Sequence, residues 1–173
     1  MSVTAPQAPS CILHDAGTCR SCPHLSVPLP DQLDVKQSRV SSLLAEHVPA
    51  DLWRSPALSA PERFRNKAKM VVSGRAAAPV LGILGPDGGI DLRSCPLHMS
   101  AIEDALPVLS RAVSRLGIGP YDVDARRGEL KHLLITASPD GDLMVRWVLR
   151  SHRHVEQLHD ALPELRRELP PLA

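Results

Sequence analysis

Four cysteines are the residues of this sequence whose type and spacing best suit chemistry. Cys11, Cys19 and Cys22 fall within twelve positions, and Cys95 stands alone far downstream. The two cysteines of a C-x2-C turn can place their thiolates on one metal centre, and a distant cysteine can reach that centre through the tertiary structure. Four thiolates are the complement of a four-iron four-sulfur cluster, and they also complete a tetrahedral zinc site.

The spacing favours a cluster over zinc, because zinc ribbons usually contribute two close cysteine pairs and this sequence has one. His14, His24 and His98 lie near the cysteines and are alternative zinc ligands. Unrelated buried thiols, or disulfides in an exported protein, are the third interpretation. Spacing alone leaves these three interpretations open.

Basic residues alternate along residues 63–70, which predicts a strand with one cationic face. The four cations of one parity are Arg63, Arg65, Lys67 and Lys69. Residues two apart on a strand are separated by roughly 7 Å, which is close to the spacing of phosphates along a nucleic acid strand. This cationic face therefore suits RNA, although lysines that protect a sheet edge produce the same pattern.

Two further basic clusters follow, and the net charge of +1 means that any RNA-binding surface must be local. One comprises Arg126, Arg127 and Lys131, and the other Arg146, Arg150 and Arg153. Convergence of the three clusters in space would favour RNA binding. The sequence has no glycine-rich phosphate loop, nucleophile elbow or HExxH pair, so it offers no catalytic residue.

The elements that must position these residues follow from hydrophobic periodicity and turn residues. We expect a disordered tail at residues 1–10, a cysteine-rich arm with a helix at 11–55, and a central α+β domain at 56–173. Within them, helices are predicted at residues 31–48, 100–117 and 154–169, the last broken at Pro163, and hairpins turn at two Pro-Asp-Gly sequences. The fold class is an antiparallel sheet with helices. A signal peptide and a membrane-spanning stretch are absent, so we expect a cytoplasmic protein.

With these motifs in place, the chain resembles the bacterial 23S rRNA uracil-C5 methyltransferases, in the short RlmC/RumB branch that lacks an N-terminal RNA-binding barrel. The resemblance rests on the C-x7-C-x2-C arm with its fourth cysteine in "LRSCPL", on "FRNKAKMVVSG", and on "RRGELKHLLI" before "MVRWVLRS". It implies that Cys11, Cys19, Cys22 and Cys95 ligate a four-iron four-sulfur cluster. It also implies RNA contacts in the motif of Arg65, Asn66 and Lys67. The complete set of RNA-binding residues that we predict is Arg63, Arg65, Asn66, Lys67, Lys69, Arg127 and Lys131.

Enzymes of this family attack C6 of uracil with a cysteine and take the methyl group from S-adenosylmethionine, chemistry that lies in a C-terminal Rossmann-like domain. This chain ends at "ELPPLA", before any such domain, and all four cysteines are assigned to the cluster. The resemblance therefore implies an N-terminal portion that is inactive alone, with ribosomal RNA and a missing or separately encoded catalytic half as partners. S-adenosylmethionine would be bound only by that catalytic half. The alternative is a stand-alone RNA-binding module in which a cluster or zinc holds the fold.

Overall fold

The computed structural model describes residues 10–170 and 172–173. The chain divides into two compact units, Met1–Phe64 and Arg65–Ala173. Residues 1–9 of the predicted tail lie outside the described residues. Within the described part, neither unit contains a helix with the length and apolar character needed to cross a membrane.

The first unit consists of helices and loops and contains three of the cysteines. Its helices are α1 (Ile12–Asp15) and α2 (Leu29–Leu43), followed by a 3-10 turn at Ala50–Leu52. Helix α2 begins at Leu29, two residues before the predicted start at residue 31. Pro28 is its N-cap, and Pro30 lies in its first turn, where a proline costs no helical hydrogen bond. Asp31 lies in that first turn, where its charge complements the helix dipole.

The second unit is a five-stranded antiparallel sheet with two helices. The strands are β1 (Lys67–Arg75), β2 (Ala78–Gly85), β3 (Gly88–Asp91), β4 (Leu130–Ala137) and β5 (Leu143–Leu149), in the spatial order β3-β2-β1-β4-β5. Helix α3 (Ser100–Leu116) joins β3 to β4, and α4 (Val155–Glu168) follows β5. The predicted α+β class and both hairpins are confirmed.

One face of this sheet forms the core with α3. Alternate residues of β1 and β4 are buried on that face, as the period of two in a strand requires. Met70, Val72, Leu133 and Ile135 are among them, and α3 contributes the buried side chains of Ile102, Leu106 and Leu109 to the core. The residues between them on β1 point to the opposite face, on which neither helix of this unit packs.

At its β3 edge the sheet bends tightly. A side chain at Gly82 of β2 would collide with the carbonyl oxygen of Ile90, and one at Gly89 would collide with the Oγ of Ser73. Because only glycine leaves room for such close approach, β3 can fold against β2 and β1. The helix-free face is therefore most accessible over β1, β4 and β5.

Two expected features of the chain differ from the structure. Strand β1 begins at Lys67 rather than at residue 63, because Arg63 has a φ of 55° and this left-handed conformation interrupts an extended backbone. Arg63 and Arg65 both precede β1, so the prediction of one strand that carries all four cations on a single face is wrong.

Helix α4 runs without interruption through Pro163, so the predicted break is also wrong. A proline in a helix removes one hydrogen bond, but here the helical residues on both sides of Pro163 are held by contacts with α3. Ala161 and Leu165 pack against α3, and Arg115 of α3 donates to Glu168 Oε1 at 2.9 Å.

Candidate metal and RNA sites

Three cysteines lie in the arm that surrounds α1. Cys11 is the N-cap of α1, and its carbonyl oxygen accepts the N–H groups of His14 and Asp15, each at 3.0 Å. The N–H of Cys19 donates to Leu13 O at 2.9 Å, which turns the chain back towards the helix. Cys19 is buried, whereas Cys11 and Cys22 are partly exposed. The arm thus keeps two of its three cysteines partly accessible.

Cys95 lies in the loop between β3 and α3 of the second unit. The N–H of Leu92 donates to Leu81 O of β2 at 2.9 Å, and the N–H of Cys95 donates to Leu92 O at 3.1 Å. Asp91 Oδ1 accepts both the backbone N–H and the Nε of Arg93, each at 3.0 Å. Burial alone would raise the pKa of Asp91, but the hydrogen bonds and charge of Arg93 lower it, so the carboxylate stays charged. The Cys95 loop is therefore anchored on the sheet.

None of the four cysteines forms a disulfide in the structure. Among residues 10–170 and 172–173, no three Cys, His, Asp or Glu side chains are grouped so as to hold a metal ion. The donor set still fits a cluster in its chemistry, because four thiols are the ligands that such a group requires. The metal site stays a prediction.

His98, one of the alternative zinc ligands, is buried three residues after Cys95. The residue is 2% exposed, and its Nδ1 has no hydrogen-bond partner among the residues that the structure describes. Burial, followed by the positive charge of Arg65, lowers the pKa of His98. The imidazole is therefore neutral at pH 7.

Arg65 and Asn66 are held by backbone hydrogen bonds on two sides. The N–H of Arg65 donates to Leu97 O at 2.8 Å, and the N–H of Met99 donates to Arg65 O at 3.0 Å. On the other side, Ala137 N–H donates to Asn66 O at 2.8 Å. The segment that carries predicted RNA contacts is thus fastened to the chain that leaves Cys95, and both side chains are exposed.

Lys67 and Lys69 are exposed on the helix-free face of β1, as the alternation predicted. The strand register places Lys69 beside Leu134 of β4, and Leu134 beside Arg146 of β5. His132 lies on the same face, paired with Val71. Two of the three basic clusters in the sequence therefore contribute to one surface.

The ring of His132 is partly buried among cations. Burial, followed by the positive charges of Lys69 and Lys131, lowers the pKa of His132. Lys131 itself lies over the ring of Tyr121, with its Nζ 5.0 Å from the ring centroid, a cation–π contact. His132 was missed in the sequence, since its proximity to Lys69 depends on the pairing of β1 with β4.

Arg127 lies in a tight loop before β4. Asp122 and Arg127 exchange backbone hydrogen bonds of 2.7 and 3.3 Å, and a Cβ at Gly128 would collide with the carbonyl oxygen of Pro120. Glycine is therefore required where the chain crosses Pro120. This geometry keeps the exposed Arg127 at a fixed place beside the sheet.

Glu129 follows that loop in the chain and is buried. Ser151 Oγ donates to Glu129 Oε2 at 2.7 Å, Arg150 Nη2 lies 3.4 Å from Glu129 Oε1, and Arg150 Nη1 donates to Arg126 O at 3.0 Å. The Ser151 hydrogen bond lowers the pKa of Glu129, and the charge of Arg150 lowers it further. Arg150, which the sequence groups with Arg146, thus has a structural partner.

Comparison with known proteins finds sequence relatives and structural neighbours of this chain. No family model matches the chain. It is 46% identical over 164 residues to the 23S rRNA (uracil(747)-C(5))-methyltransferase RlmC of Enterobacter sp. (strain 638). It is 47% identical over 165 residues to the proteins of the same name from Yersinia pestis (strain Pestoides F) and Yersinia pseudotuberculosis serotype I (strain IP32953). Each alignment covers 94% of this chain but 44% of the relative, so the chain spans less than half of their length.

One structural neighbour is the crystal structure of Pyrococcus abyssi tRNA (uracil-54, C5)-methyltransferase in complex with S-adenosyl-L-homocysteine. The TM-score is 0.60 at 16% sequence identity, over 86% of this chain and 33% of that chain. At this identity the likeness concerns the fold alone.

Proposed function

Since the chain is homologous over nearly all of its length to the RlmC 23S rRNA (uracil-C5)-methyltransferases, we propose that it is the cluster-bearing, RNA-binding part of such an enzyme. The observation that carries this proposal is the 46–47% identity over 94% of the chain. The chain spans 44% of the relatives, so methyl transfer, S-adenosylmethionine and 23S rRNA are proposals here. A cytoplasmic location follows from the proposed RNA substrate.

We propose that Cys11, Cys19, Cys22 and Cys95 ligate a four-iron four-sulfur cluster. The family resemblance, the four thiols and the anchored Cys95 loop support this assignment. The cluster would supply structural cross-linking, because methyl transfer to uracil requires no electron. It would tie the arm to the loop whose backbone also holds Arg65.

RNA binding is proposed for Arg63, Arg65, Asn66, Lys67, Lys69, Arg127 and Lys131. All of them except Lys131 are exposed, and Lys131 is partly exposed. The support is their accessibility together with the backbone hydrogen bonds that fix Arg65, Asn66 and Arg127. Phosphate contacts of this kind position an RNA without reading its sequence.

With all four cysteines assigned to the cluster, none of the cysteines in these 173 residues is left to attack C6 of uracil. We therefore expect the chain to bind RNA without methylating it. The test is a labelled methyl-transfer assay on an unmodified 23S rRNA fragment, with full-length RlmC of Yersinia pestis as the positive control. Retention of the RNA without 5-methyluridine is the expected result. Formation of 5-methyluridine by the chain alone would overturn the inactivity, and failure to retain the RNA would overturn the RNA-binding assignment.

A further inference from the structure

The helix-free face of β1, β4 and β5 combines cations with exposed apolar side chains. Its cations are Lys67 and Lys69 of β1, His132 of β4 when protonated, and Arg146 of β5. None of the positions of these three strands on this face carries a carboxylate. Such a surface is complementary to a polyanion.

Apolar side chains lie between those cations. Leu134 separates Lys69 from Arg146 in one cross-strand row, and Met144, which is 54% exposed, lies in the next row beside Thr136. Adjacent strands are about 4.8 Å apart, so Lys69 and Arg146 lie roughly 10 Å apart across the sheet. The face is a broad patch with an apolar centre rather than a line of charge along β1.

We infer that single-stranded RNA crosses this face from β1 to β5, with phosphates on Lys67, Lys69 and Arg146, a phosphate oxygen hydrogen-bonded to His132, and bases against Leu134 and Met144. The inference rests on the proposed function, because it names the surface that receives the RNA. It adds Arg146 and His132 to the contacts predicted from the sequence.

A single strand fits this face better than a duplex does. The bases of a single strand can turn towards the apolar side chains, whereas an RNA duplex presents mainly phosphates and 2′-hydroxyls. The aromatic ring of β5, Trp147, pairs with Leu133 and packs on the helix side of the sheet. Base contacts on the RNA side therefore come from aliphatic side chains, which select little among bases.

His132 makes binding on this face sensitive to pH. Its charged neighbours are Lys69 from β1 and Lys131 from β4, Arg146 of β5 lies one row away, and its partners Val71 and Val148 are uncharged. In the free protein, burial and then the positive charges of Lys69 and Lys131 lower the pKa of the ring. A phosphate at this position reverses the local charge and stabilises the imidazolium, so RNA binding takes up a proton. Affinity should therefore rise as the pH falls.

The experiment is a fluorescence anisotropy titration of the full chain with a short labelled oligouridine. Arg146→Glu should weaken binding by about tenfold or more, since it replaces a phosphate contact with a repulsive charge. The matched control is Arg166→Glu on α4, which makes the same change of charge at an exposed arginine on the helix side and should alter affinity less than about twofold. Between about pH 8 and pH 6 the wild type should bind more tightly at the lower pH, and His132→Gln should reduce that gain.

Four results would overturn the inference while leaving RNA binding in place. The first three are equal effects of Arg146→Glu and Arg166→Glu, an unchanged pH dependence in His132→Gln, and equal or tighter binding of a duplex of the same length. The fourth is displacement of the RNA by an acidic peptide at equal concentration, because the face would then select charge alone. If the wild type binds no RNA even at low salt, the proposed function itself fails.

Discussion

Lys69 and Arg146 lie in one cross-strand row on the helix-free face of the sheet, on either side of Leu134. They come from strands that are distant in the sequence and become neighbours because β4 pairs with both β1 and β5. The basic cluster that contains Lys69 and the one that contains Arg146 therefore contribute to the same surface.

The salt dependence of RNA binding measures what each of these cations contributes. Every phosphate contact removed should lower the slope of log K against log salt by about 0.7 for a single strand, because fewer counterions are released. We expect Lys69→Ala and Arg146→Ala each to produce that change, and the double variant about twice the change. Arg167→Ala on α4 is the control, and a slope as steep in the double variant as in the wild type would contradict phosphate contact.

His132 should make the folded protein sensitive to acid. Its pKa in the folded state lies below the value of about 6.5 in the unfolded chain, so the unfolded chain binds more protons as the pH falls below 6.5. The contribution of neutral His132 to stability is thus complete above that pH and declines below it. Urea denaturation at several pH values should show a shallower decline for His132→Gln. The exposed His159→Gln should behave as the wild type, and equal declines in both variants would contradict the assignment.

The tight bend at β3 depends on the absence of a side chain at residue 82. Gly82→Ala should lower the free energy of unfolding by about 1–3 kcal/mol, since the new Cβ collides with the backbone of Ile90. Gly119→Ala is the matched control, because a Cβ there meets no atom within 4 Å, and its effect should stay below about 1 kcal/mol. Chemical denaturation distinguishes them, and equal stability of the two variants would show that β3 is not packed so closely.

Packing between α3 and α4 keeps α4 helical through Pro163. Leu165 is 1% exposed and packs against Ala112 of α3, so Leu165→Ala should cost about 2–5 kcal/mol. Leu162 lies in the same helix and is 43% exposed, so Leu162→Ala should cost much less. Chemical denaturation distinguishes the two variants, and similar midpoints would show that Leu165 does not carry this helix contact.

Local patterns in the sequence predicted the features that depend on local chemistry. The two Pro-Asp-Gly turns form hairpins, and α3 ends at Gly117, whose φ of 63° suits glycine. The alternation of Lys67 and Lys69 with buried residues follows from the period of a strand. These features need no information about distant parts of the chain.

Features that depend on distant pairing were not predictable in this way. The backbone bonds between Arg65 and the segment after Cys95 join residues far apart in sequence, and the position of His132 beside Lys69 depends on strand order. Arg63 has a left-handed backbone conformation that is incompatible with a strand, and an arginine in the sequence does not predict this conformation. The buried Glu129 likewise looked like any other charged residue before a strand.

Iron and acid-labile sulfide content tests most directly whether Cys11, Cys19, Cys22 and Cys95 hold a cluster. Protein purified without oxygen should contain about four iron and four sulfide per chain. Cys22→Ser and Cys95→Ser should each lose most of both, whereas the adjacent Ser21→Ala and Ser94→Ala should keep them. Zinc without sulfide in the wild type, or a full complement of iron in Cys95→Ser, would contradict the four-cysteine cluster.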